Sequence, residues 1–151
     1  AKYLKQIRST PKASDKFAFE GLDSRFEAHR QFADKAWFKW RKAFIFNVLK
    51  YQERLGDKQL TMLESIYEPV ASITTMFCAI AASRAASQAG DLATVAALNL
   101  LCLEMRCKLA GEKHTGSQYE RAVDEVATYV LAGQFHQLDG VPAGEIQQPY
   151  K

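Results

Sequence analysis

The chain has 151 residues, of which 48% are hydrophobic and 25% charged, and its 20 Lys or Arg against 17 Asp or Glu leave a net charge of +3. That length and balance fit one globular domain with a core of its own and exclude dependence on a disulfide or metal staple. No run of 18 apolar residues occurs. The nearest, Val70–Ala82, is 13 residues long and holds Ser72, Thr74 and Thr75, so it reads as a core segment rather than a membrane span.

Residues 1–21 are basic and punctuated by Ser9, Thr10, Pro11, Ser14 and Gly21, which predicts a flexible arm preceding the folded domain. Its apolar residues Tyr3, Leu4, Ile7, Phe17 and Phe19 are suited to docking on the body. The charges spread along it leave no apolar segment of a secretory leader, and a start at Ala1 is compatible with loss of an initiator Met.

A long helix is expected from Asp23 or Ser24, with Ser24 and Glu27 as a reciprocal capping box and Gly56 as the residue past its end. Asp57 then caps a second helix through Leu60, Leu63, Ile66 and Tyr67. Pro69 opens a third, because proline is tolerated in a first turn. Gly90-Asp91 reads as a stop followed by a cap, a fourth helix runs to Gly111, and Ser117–Glu120 forms a second capping box at the start of a fifth. With no alternating strand pattern, the reading is all-α: a bundle of about five helices over 22–133, preceded by the arm and followed by an extended or disordered tail over 134–151. Ala79, Ala81, Ala82, Ser83, Ala85, Ala86 and Ser87 are all small, and Ala93, Ala96 and Ala97 lie on the next helix, which predicts a tight central hairpin.

The first helix stands apart. Asp23–Leu55 holds eight of the chain's seventeen aromatic residues. At about 100° per residue, Phe26, Ala33, Trp37, Trp40, Phe44, Val48, Tyr51 and Leu55 form one apolar stripe expected in the core. Phe38, Ile45 and Leu49 form a second, and Phe32 and Phe46 lie close to Lys35, Lys39, Lys42 and Lys50. A helix of 33 residues is about 50 Å long, against about 40 Å for a compact domain of this size. It must kink, for instance near Asn47, or offer its end to another chain.

Charge is polarised in the same sense. Residues 1–60 carry fourteen Lys or Arg against seven Asp or Glu, net +7, whereas 61–151 carry six against ten, net −4. A basic half interleaved with aromatics points to an anionic partner. Nucleic acid is the leading expectation, with Lys2, Lys5, Arg8, Lys12, Lys16, Lys35, Lys39, Lys42 and Lys50 on phosphate and rings free to stack on bases. Lysine stems also shield apolar surface while their ammonium groups stay in water, so the same pattern suits a solvated face. The competing expectation is a protein adaptor or self-assembling subunit, homo-oligomeric through Phe32, Phe38, Ile45, Phe46 and Leu49, with the acidic half of one copy meeting the basic half of the next.

No enzyme, cofactor, metal or membrane association is expected. His29, His114 and His136 are not spaced as metal ligands, Cys102 and Cys107 are five apart, and no Glu-x-x-His pair of the di-iron type occurs. His29 is the one histidine placed as a haem ligand would be, with nothing beside it in sequence to support that role. The glycines are scattered rather than gathered in a phosphate-binding loop. Cys78, Cys102 and Cys107 sit in apolar helical stretches, which predicts buried, reduced thiols and a cytoplasmic protein.

Overall fold

The computed structural model describes residues 22–51, 54, 56–111 and 116–135. The basic arm over 1–21, the end of the tail from 136 on, and His114 lie outside the described residues. Every element among those described is helical, so the protein is all-α, and there are four long helices rather than five: α1 (Ser24–Tyr51), α2 (Gly56–Ala89), α3 (Leu92–Ala110) and α4 (Ser117–Leu131).

The difference in count comes from Pro69. Two helices were expected to meet there, but one runs through. α2 begins with a 3₁₀ turn over Gly56–Lys58, continues as α-helix over Gln59–Met62, widens into a π turn over Leu63–Tyr67, and returns to α-helix over Glu68–Ala89. A proline in a helix lacks one N–H and crowds the carbonyl four residues back. The wider turn just before Pro69, where the Glu68 N–H donates to Leu63 O, opens the ladder at that point and lets the helix pass without breaking. By length and composition α2 is long and apolar enough to cross a membrane, with 39% of its most apolar window buried within the protein. A core helix of a water-soluble protein passes the same test. Ser72, Thr74 and Thr75 on α2 each return a hydroxyl hydrogen bond to the carbonyl four residues earlier, which satisfies them on their own helix.

Caps explain the boundaries. Asp23 starts α1, its carboxylate accepting from the Arg25 N–H at 2.9 Å; Ser24 is already helical, and Glu27 turns to Arg30 instead of closing a capping box. α4 likewise begins after Gly116 with no side-chain cap, so Ser117 and Glu120 do not form the expected box. The Gly90-Asp91 reading holds. Gly90 takes the left-handed conformation that ends α2, its N–H reaching the Ser87 and Ala86 carbonyls, and Asp91 Oδ1 accepts from the Thr94 N–H at 2.9 Å to start α3.

This turn folds α2 back on α3, and the two make the most extensive helix contact in the protein. Ala79, Ser83 and Ala86 of α2 and Ala93 and Ala96 of α3 are buried, in keeping with a close seam of small residues, while Ala81, Ala82, Ala85 and Ser87 are exposed. α1 lies across α2 and α3, and α4 packs on α3. One part of the core joins Phe26, Ala79, Ile80, Ala86, Val95 and Cys102; the other joins Ala33, Ile73 and Met76, with Phe32, Trp40, Phe77, Met105 and Leu109 packed around it.

Candidate binding surface

Only Phe26, His29 and Ala33 of α1 are buried, and all three lie in its first ten residues. The stripe expected to be core along the whole helix is therefore core only in its first part. Further on, Trp37 is 41% and Phe44 42% exposed, while Trp40, Val48 and Tyr51 are half-buried. Leu55 lies outside the described residues. The reason is the start of α2, which contributes only Met62 and Ile66 to the interior and leaves Leu60, Leu63 and Tyr67 in solvent. The helix is continuous through Asn47. Its 28 residues span about 42 Å, and its distal half is covered only in part.

The two halves of α1 also differ in electrostatics. Near the start, Arg30 bridges Glu27 at 2.6 Å and Asp34 at 2.8 Å. Hydrogen bonds from Arg30 and then Gln31 hold the Glu27 carboxyl at about 2, whereas burial raises Asp34 despite the same guanidinium beside it. From Lys35 to Tyr51 there is no carboxylate at all, and Lys35, Lys39, Arg41, Lys42 and Lys50 supply five cations. No ion pair among the described residues engages any of the five. Lys39 Nζ lies 5.0 Å from the Trp40 ring and Lys50 Nζ 5.1 Å from that of Tyr51, at distances that suit cation–π attraction.

The helical period gathers these groups. Lys42, Lys35, Phe46, Lys39 and Lys50 fall within a sector of about 80°, directly opposite Phe26 and Phe44. All five are exposed, and Phe46, at 64%, is the most exposed aromatic residue described. Phe38, Ile45 and Leu49 form the adjoining row; Phe38 and Ile45 are half-buried and Leu49 is exposed. Phe32 is committed elsewhere: it packs on the Ala33–Ile73–Met76 core and the Arg106 guanidinium covers its ring at 5.0 Å. Of the residues singled out in the sequence, then, four lysines, Phe46 and Leu49 share one exposed region. Lys2, Lys5, Arg8, Lys12 and Lys16 lie outside the described residues.

Two features were not anticipated. On the other side of α1, Asp34 and Trp37 face Ile73, Thr74, Phe77, Cys78 and Ala81 of α2 across an apolar cavity of about 510 Å³. Cys78 is exposed there, against the expectation of a buried thiol; Cys102 is fully buried, which pushes its thiol up to about 12, and Cys107 is half-buried. The second is His29, 1% exposed, whose Nε2 lies 3.0 Å from Asn99 Oδ1 and whose ring meets Phe26 edge-on at 5.9 Å. An amide oxygen only accepts, so Nε2 carries the proton, and burial lowers the pKa of the imidazole and keeps it neutral. The signal for this pair was a single Asn inside the apolar run Leu92–Leu103. Among the described residues no group of three or more His, Cys, Asp or Glu is gathered as a metal site would require.

No protein-family model matches the chain, no curated protein matches it in sequence, and no solved structure matches it.

Proposed function

We propose that the chain is a non-enzymatic binding protein, a helical bundle that holds nucleic acid on the cationic, aromatic half of α1. The observation that carries this reading is the stripe of Lys35, Lys39, Lys42 and Lys50 around the exposed ring of Phe46, on a stretch of helix without a carboxylate. Ammonium groups engaged in no ion pair among the described residues are free to neutralise phosphate and release its counterions, which is the main source of sequence-independent affinity. Lys2, Lys5, Arg8, Lys12 and Lys16 add to the same positive half.

Fluorescence anisotropy with labelled oligonucleotides tests it. Affinity should fall steeply between low and near-physiological salt, and replacing Lys35, Lys39 and Lys42 together by Glu should abolish binding with the helical content unchanged. Undiminished binding by that variant would sink the assignment.

A second reading, self-assembly, draws on α4. Its outward row of Glu120, Val123, Asp124, Ala127, Val130 and Leu131 is apolar and acidic, with Arg121 at its margin, and so complements the Phe38–Ile45–Leu49 row and its lysines on another copy. In that case Phe38→Ser with Phe46→Ser should lower the mass in solution. An unchanged mass would count against it.

A further inference from the structure

We infer, on the strength of the nucleic-acid reading, that the surface takes single strands in preference to duplex, with an unpaired base stacked on Phe46 and the neighbouring phosphates held by lysine. The inference rests on which residue types the helix brings to the stripe and which it turns away.

A duplex hides the faces of its bases against one another and offers only their edges in the grooves, where they are read by Arg, Asn and Gln acting as paired donors and acceptors. Between Lys35 and Tyr51 the residues of that kind are Arg41, on the far side of α1 from Lys39 and Phe46, and Asn47, about a quarter-turn away from them; both are half-buried. The stripe itself holds only lysines and one phenyl ring. Lysine contacts phosphate without regard to sequence, and a phenyl ring has neither donor nor acceptor for a base edge. What a ring does offer is a face, and the bases with a free face to match it are unpaired ones.

Phe46 is placed to use that property. One helical turn before it stands Lys42 and one turn after it Lys50, with Lys39 two turns before. A strand following the helix therefore meets a cation on either side of the stacked base. Trp40 and Tyr51, by contrast, are half-buried and already carry the ammonium groups of Lys39 and Lys50 near their rings. The stripe from Lys35 to Lys50 is about 22 Å long, the reach of roughly six or seven nucleotides at the spacing of a stacked strand.

The experiment titrates the 151-residue chain against a labelled oligothymidylate of about twelve nucleotides and a labelled hairpin duplex carrying as many phosphates. The single strand should bind at least tenfold more tightly, with a log–log salt slope of about −3 or steeper, of which the four lysines of the stripe supply about −3. Phe46→Ala should weaken single-strand binding roughly tenfold while leaving the salt slope unchanged, and Phe46→Tyr should restore it, since the phenol keeps the ring. Phe46 is exposed, so these variants should melt as the parent does. Equal affinity for duplex, or Phe46→Ala binding as tightly as the parent, overturns the single-strand inference while the broader reading stands. Binding to neither nucleic acid overturns both, as does binding confined to vesicles containing phosphatidylserine.

Discussion

Residues 24–34 and 35–51 of α1 are consecutive turns of one helix, and the second holds six aromatic residues in seventeen against two in eleven for the first, yet the first is anchored in the core and the second is not. In the first, Phe26, His29 and Ala33 enter the core and both carboxylates are engaged by Arg30. In the second, no residue is fully buried and no carboxylate is present. Aromatic content therefore does not decide burial; what decides it is whether a facing helix supplies a groove. α2 and α3 supply one beside Phe26 and Ala33, and the first turns of α2 do not supply one beside Phe44.

The contrast can be broken at several points. Its largest expression is Phe26→Ala, which empties a fully buried ring site and should cost about 3–5 kcal/mol in urea unfolding, whereas Phe46→Ala should stay within about 0.5 kcal/mol. Comparable losses at the two positions would mean that the distal half is covered after all. Next in size, Asn99→Leu strands the His29 Nε2–H in the interior and should cost about 1–3 kcal/mol by the same measurement.

His29 also makes the anchored half sensitive to pH. Its folded pKa is lowered below the ordinary 6.5, so the unfolded chain binds its proton more readily. Its contribution is complete above about 6.5 and is lost as the pH falls from there toward the folded value. The urea midpoint should drop between pH 7 and 5 in the parent and drop less in His29→Gln. Equal drops would remove His29 from the account. At a smaller scale, Gly90→Ala places a methyl group on a left-handed residue with open space around it and should cost about 1 kcal/mol, from backbone strain alone. Smallest of all is the expected change in stability from Lys39→Glu, within about 0.5 kcal/mol, even where binding is lost.

How far the sequence could be read follows from the range of each interaction. The Gly90-Asp91 joint was legible because its cap and its left-handed glycine are neighbours in the chain. So was the α2–α3 seam, where the small residues are plain to see. Pro69 misled because a π turn makes room for it, and no local sequence rule predicts that widening. Ser24–Glu27 and Ser117–Glu120 have the form of capping boxes, but α1 and α4 begin one residue away from where the boxes need them to, and Glu27 has a stronger partner in Arg30. The lysine stripe with Phe46 follows directly from the helical period. The exposure of Trp37 and Phe44 does not, because it depends on what α2 fails to bring opposite them.

The most extensive contact in the molecule, between α2 and α3, joins segments separated by two residues of turn. Contacts so near in sequence close quickly, and proteins dominated by them fold in microseconds to milliseconds. The hairpin is thus the natural nucleus, with α1 docking later through Phe26, His29 and Ala33. Substitutions of the exposed residues beyond Lys35, such as Lys39, Lys42 and Phe46, should then leave both the folding and the unfolding rate nearly untouched, so that this outer face of α1 is free to change in evolution without a kinetic penalty on reaching the native state.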